Sequence, residues 1–242
     1  MIEKALRYVV GLKEPNYREI NGRVYVDKDV TELTEPTVKP LRVNTLKAVI
    51  DYVVQNCDEI LSRNSKIIVQ IANYDKVAVF GQLNNDMNRD YYLEAVSLAP
   101  NNFRYGSYFE MENFNTALQS MFEETEDRNL LLALCGNVTE ETIKNYSDNG
   151  ISQTATIKSG VTTVQEVLVP NPVKLKPIRT FYEVEQPESL FVFRMKSGPF
   201  AALFEADGGA WKQQAINNIA LYLDEAFNNN ITYDLRDQII IL

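Results

Sequence analysis

The sequence has no histidine, only two cysteines and a single tryptophan. Without histidine, no Ser-His-Asp triad, Cys-His pair or His-ligated metal centre can be built from this chain alone. Cys57 and Cys135 form no C-x-x-C and stand among apolar neighbours, Val53, Val54 and Ile60 in one case, Leu132 and Leu134 in the other. They read as two reduced, buried thiols. Apolar runs are short, and none approaches the roughly 20 residues of a membrane span. Charges interrupt the N-terminal MIEKALRYVVGLKEPNY too often for a signal-peptide core. The expectation is a soluble protein kept in a cytoplasm, with no membrane partner.

Positive charge is also scarce. Lys plus Arg number 24 against 33 Asp plus Glu, for a net charge of −9. That excess argues against sequence-independent nucleic-acid binding, which needs cations facing phosphates, so random duplex DNA should bind more weakly than about 0.1 mM to 1 µM in physiological salt. No G-x-x-x-x-G-K-[ST], G-x-G-x-x-G or G-x-S-x-G is present. Asp86 to Asp90 imitates the first half of a calcium loop, but Tyr91 stands where glycine is required and Ser97 where the bidentate Glu belongs. It reads as a polar turn.

What is present is ordinary globular material: 242 residues, 45% hydrophobic and 24% charged. That fits one large domain or two small ones, with a core that needs no disulfide or metal. Residues 1–42 read as an arm with a short hairpin at Asn21-Gly22, and 43–242 as a single domain with a possible subdivision near 125–150. Asn44 is expected to cap a helix whose apolar stripe runs from Val43 to Leu61. KIIVQIA, KVAVFGQ and YYLEAVSLA follow as strands, and Ser107 with Glu110 forms a capping box before a helix bearing Met111, Phe114 and Leu118. The acidic EETED reads as that helix's solvated end, and NLLLALC leans towards helix.

Five candidate strands come next: ISQTATIK, VTTVQEVLV, VKLKPIRTFYEV, LFVFRMK and PFAALFEA, with two-residue turns at Ser159-Gly160 and Ser197-Gly198. Their short connections imply antiparallel order. The Thr-rich hairpin 151–169 lacks clean alternation, and reads either as an exposed flap or as an arm that pairs with a neighbouring subunit. A last helix carries Trp211, Ala215, Ile219, Leu223 and Phe227, and the chain ends in the apolar Ile239 to Leu242. The fold class is α+β: antiparallel sheets packed against about three main helices, with an extended N-terminal arm.

The chemistry narrows to one turn. Glu205 and Asp207 stand beside Gly208, Gly209 and Trp211, and two acids can serve as general acid and base or hold Mg2+. The plainer reading makes Asp207 the N-cap of the last helix, the glycines its turn residues and Trp211 the start of its buried stripe. Arg179, Arg194, Lys174 and Lys176 are scattered and read as a solvated strand face. No catalytic residue, cofactor or metal ligand is assigned.

The segment VLVPNPVKLKPIRTFYEVEQPESLFVFRM, followed by LFEADGGAWKQQA, resembles the YfdQ-like family of phage and prophage proteins. That family carries a similar valine-proline, RTF-x-E and QP-x-S-x-F-x-x-R run. The F-E-x-E-N-F helix at 109–114 and the DNG turn at 148–150 are similar too, so the resemblance covers roughly residues 107–225. It implies a bacteriophage-encoded protein of the host cytoplasm, and it transfers no activity to named residues. At the family-like positions the physical reading is one of fold-keeping roles. Pro170 and Pro172 begin an extended strand, and Arg179 of the Arg179-Thr180-Phe181 run bridges to Glu183 or Glu185. Pro187 breaks the strand, and Arg194 ends the next.

The expected function is a non-enzymatic, self-associating structural or accessory assembly, its partner a second copy of itself. The alternatives are a counter-defence or host-takeover protein that binds a host or phage protein or sequesters a small ligand, and, ranked last, a metal-dependent hydrolase.

Overall fold

A computed structural model describes residues 2–11, 15–20, 23–26, 39–84, 87–99, 103–136, 147–148, 153–159, 163–168, 171–196, 198 and 200–242. The chain divides into two units, Met1–Val38 and Lys39–Leu242. In the first, α1 (Ile2–Gly11) precedes β1 (Tyr17–Ile20) and β2 (Arg23–Val26), an antiparallel hairpin. Ile20 pairs with Arg23, and Asn21 and Gly22 of the expected turn lie outside the described residues. Residues 39–42, assigned to the arm from sequence, belong to the larger unit.

That unit opens with β3 (Leu41–Val43), α2 (Leu46–Arg63) and the strands β4 (Ile67–Asn73), β5 (Lys76–Leu83) and β6 (Arg89–Val96). Then come β7 (Phe109–Glu110), α3 (Met111–Met121), α4 (Glu126–Gly136), β8 (Ser147–Asp148), β9 (Gln153–Ser159) and β10 (Thr163–Leu168). It closes with β11 (Val173–Leu175), β12 (Ser189–Lys196), β13 (Phe200–Glu205), α5 (Ala210–Asn230), α6 (Tyr233–Arg236) and β14 (Ile239–Ile241). The architecture is α+β.

A five-stranded sheet, ordered β14-β4-β5-β6-β3, carries the first core. Ile67, Val69 and Ile71 alternate inward along β4 and meet Val49, Val53 and Ile60 of α2 and Ile219, Leu223 and Phe227 of α5. A four-stranded sheet, ordered β11-β12-β13-β7, carries the second core. There Phe191, Phe193 and Leu203 pack with Phe114 and Leu118 of α3 and with Leu131 and Leu134 of α4. The Thr-rich hairpin forms a separate three-stranded sheet, ordered β10-β9-β8.

Several expectations are corrected. Thr45, not Asn44, caps α2: its hydroxyl accepts from the Ala48 amide at 3.2 Å, whereas Asn44 donates to the Val96 carbonyl. Ser107 starts no helix, because Phe109 and Glu110 are drawn into strand pairing with β13 and α3 begins only at Met111. EETED is not an end, since Glu126 and Asp127 open α4, where they suit the positive end of the helix dipole. Ser159 pairs with Thr163 and Lys196 with Phe200, while Gly160 and Ser197 of the expected turns lie outside the described residues.

VKLKPIRTFYEV is mostly not a strand. Only Val173–Leu175 joins the sheet, because Pro177 lacks an N–H and makes a single bridge to Phe122. Pro172 directly precedes that strand, and Pro170 lies outside the described residues. Pro187 stands just before β12, and Arg194 does not end it: Arg194 faces Ala202 in register and the strand runs on to Lys196. The apolar C-terminal segment forms β14. It lies parallel to β4, just as β3 lies parallel to β6, so two parallel pairs stand beside the expected antiparallel ones.

Candidate functional site

The site begins with a proline. After Pro177 the chain is irregular, and its backbone amides must bond elsewhere. The buried Gln186 meets that need. Its Oε1 accepts from the amides of Arg179 (2.9 Å) and Thr180 (3.2 Å), and its Nε2 donates to the Phe181 carbonyl at 3.0 Å. Thr180 donates its hydroxyl to the Tyr74 carbonyl in the β4–β5 turn. Phe181, 1% exposed, anchors the loop in the first core.

So held, Arg179 is 3% exposed. Its Nη1 donates to Glu205 Oε1 at 2.9 Å and its Nη2 to Ser189 Oγ at 2.5 Å. The guanidinium carbon lies 3.7 Å from the Trp211 ring centroid and 5.8–5.9 Å from those of Phe191 and Tyr105. Trp211 in turn tilts against Tyr74, with centroids 4.7 Å apart. Burial lowers the Arg179 pKa, and Tyr105, Glu205 and Asp207 oppose that shift. Burial pushes the Tyr105 phenol up to about 12, against the pull of Arg179.

Of these groups Arg179, Glu205, Tyr74, Tyr105 and Trp211 line a cavity of about 210 Å³, as do Lys212 and Phe103. Two buried donors on residues that line it, Arg179 Nε and Trp211 Nε1, have no hydrogen-bond partner among the described residues, and nor does Asp207 Oδ2 in the turn before Trp211. Leaving a buried donor or acceptor unmet costs about 1–3 kcal/mol, so two on residues of one cavity call for an explanation.

The structure brings Glu205, Asp207, Gly208, Gly209 and Trp211 together as the sequence suggests, and adds Arg179, Ser189, Tyr105 and Tyr74 to them. Asp207 is not the N-cap. Gly209 holds that position, and Asp207 Oδ1 accepts from the Gly209 amide at 3.0 Å in a turn ahead of the helix. Gly208 and Gly209 take φ of 62° and 83°, where a side chain is strained. Nor does Arg179 bridge to Glu183 or Glu185. Glu183 instead accepts from the amides of Leu46 and Lys47 at the start of α2, and Glu185 pairs with Lys176 at 2.7 Å. Lys174 reaches Glu188 at 3.7 Å on the surface, but the buried Arg179 does not belong to the expected solvated strand face. Among the described residues, no three His, Cys, Asp or Glu side chains are grouped to hold a metal ion.

A second feature lies in the N-terminal unit. Ile2, Leu6 and Val9, spaced at helical steps along α1, are all exposed, as are Tyr17, Ile20, Val24, Tyr25 and Val26 of the hairpin. No family model, curated protein or solved structure matches the chain. Among the described residues, no helix is long and apolar enough to cross a membrane.

Proposed function

We propose that this is a non-enzymatic, bacteriophage-encoded protein of the host cytoplasm that self-associates, with residues 2–26 docking on a second copy. The supporting observation is the apolar stripe Ile2, Leu6 and Val9 beside a hairpin that exposes five further apolar side chains. Exposed apolar groups gathered in one small unit mark an interaction surface. In symmetric assemblies such arms are exchanged between copies. The C-terminal strand lends this reading nothing, because it pairs with β4 of its own chain. The phage origin rests on the YfdQ-like run across 107–225.

Light scattering on the eluting full-length protein is the test. The wild type should give a defined oligomer at micromolar concentration, and Leu6→Asp with Val9→Asp should lower its mass without lowering the melting temperature of the larger unit. A wild-type mass of 27.6 kDa across that range overturns the reading. A second reading, sequestration of a small ligand, is favoured by the cavity beside Arg179 and its unmet donors.

A further inference from the structure

We infer that the cavity beside Arg179 binds a planar, uncharged heterocycle bearing carbonyl acceptors, of nucleobase type. This rests on the second reading above and is independent of self-association. Arg179 Nε and Trp211 Nε1 are both buried and unpartnered among the described residues, and both belong to residues that line the cavity. Each can only donate, so a ligand that satisfies them must bring acceptors. Tyr74, Tyr105 and Trp211 supply aromatic surface, which favours a flat ring over an aliphatic chain.

Charge decides between an anion and a neutral ring. Arg179 is paired with Glu205 and faces the charge of Asp207 as well, so a carboxylate or phosphate gains no net field beside it. Glu205, which also lines the cavity, can only accept when ionised and suits a ring N–H. Carbonyl oxygens for two donors and an N–H for one carboxylate are what the edge of an oxo-substituted base presents. At about 210 Å³ the cavity falls below the roughly 300–1,000 Å³ of drug-sized sites, enough for one ring system. Lys212, exposed and lining the same cavity, would meet a phosphate attached to that base.

Trp211 is the sole tryptophan, so its fluorescence in the intact protein reports on the cavity. Uracil, uridine, uridine monophosphate and the matching guanine series should each be titrated, beside benzoate and inorganic phosphate. A saturable change with a base or nucleoside, and none with benzoate or phosphate, is the expected result. Tighter binding of the monophosphate that is lost in Lys212→Ala supports the proposal and identifies a nucleotide as the source. Equal affinities support it with a base or nucleoside as the source. Trp211→Phe keeps a ring but removes the Nε1 donor, and calorimetry should show affinity about tenfold weaker, the value of one hydrogen bond. Unchanged affinity in that variant overturns the assignment of the donor. Binding of benzoate or phosphate alone overturns the ligand class while leaving a ligand cavity in place. No saturable change with any probe at millimolar concentration overturns both.

Discussion

Arg179 lies over Trp211, its guanidinium carbon 3.7 Å from the ring centroid, and the pair links elements that carry the two cores of the larger unit. On one side Trp211 begins the helix that fills the first core with Ile219, Leu223 and Phe227. On the other, Arg179 faces Tyr105 and Phe191, the latter in the second core. A buried cation is costly unless it is paired and hydrogen-bonded. Here Glu205, Ser189 and aromatic faces provide that compensation.

Trp211→Ala should therefore destabilise the protein by about 3–5 kcal/mol, as for other large rings removed from buried sites. The substitution also uncovers Arg179. Asp207→Ala removes one hydrogen bond to the Gly209 amide and should cost about 1 kcal/mol. Thermal melts of the two variants beside wild type test the ordering. Equal melting temperatures for Trp211→Ala and wild type would show that the ring serves a ligand alone.

Gly81 in β5 is required by a neighbour, not by its backbone angles. A Cβ there would stand 2.4 Å from Asn64 Oδ1. Asn64, 7% exposed, donates to the Tyr92 hydroxyl at 2.7 Å and cannot withdraw without losing that bond. Gly81→Ala should cost about 1–3 kcal/mol, the usual range for overpacking. Combined with Asn64→Ala it should cost less than the sum of the single changes, because the clash vanishes. Urea unfolding of the four proteins measures the coupling, and simple additivity would refute the contact.

How far the fold could be read from sequence depended on range. The stripes of α2 and α5 were legible because Val49, Val53, Cys57 and Ile60, or Ala215, Ile219 and Leu223, recur at helical steps. The β4–β5 hairpin was legible from its β-branched residues and the Tyr74-Asp75 turn. The partner of Arg179 was not. Glu183 and Glu185 are nearer along the chain, but the β12–β13 register sets Phe191 opposite Glu205 and so delivers a more distant carboxylate. The parallel pairing of β14 with β4 joins the end of the chain to its first third, and nothing local encodes it. In α1, Ile2, Leu6 and Val9 carry a helical period that the reading of 1–42 as an arm passed over. The cavity needed tertiary contacts: Tyr74, Tyr105 and Arg179 come from three loops that no motif connects.

Arg236 fastens the C-terminal strand. Its Nη1 donates to the Ile239 carbonyl at 2.9 Å, its Nε to Asn228, and its Nη2 pairs with Asp224 on α5. β14 is a three-residue edge strand, so its stability should depend on that clamp. Arg236→Ala should speed hydrogen exchange at the Leu242 and Ile71 amides, which cross between β14 and β4, while lowering global stability by no more than about 1.5–3 kcal/mol. Unchanged exchange at both amides would show that the strand holds without the clamp.

Stability should fall on the alkaline side. Burial, helped at Tyr91 by its hydrogen bond to Glu94, pushes the phenols of Tyr91, Tyr92 and Tyr105 up to about 12, and burial alone pushes the Cys135 thiol to about 12. In the unfolded chain, phenols ionise near 10 and thiols near 8.5. Between roughly pH 8.5 and 12 the unfolded state has therefore given up protons that the native state keeps, and stability declines as pH rises. Below that window the contribution is fully present. With no histidine in the chain, no side chain of ordinary pKa titrates around neutrality, so the curve should be nearly flat from about pH 6 to 8. Urea midpoints across that range and upward to about pH 11 test both parts. Tyrosinate absorbance should show a group of phenols that ionise only as the protein unfolds. A midpoint that holds or rises up to about pH 11 would mean that these phenols and the thiol are in contact with water in the native protein.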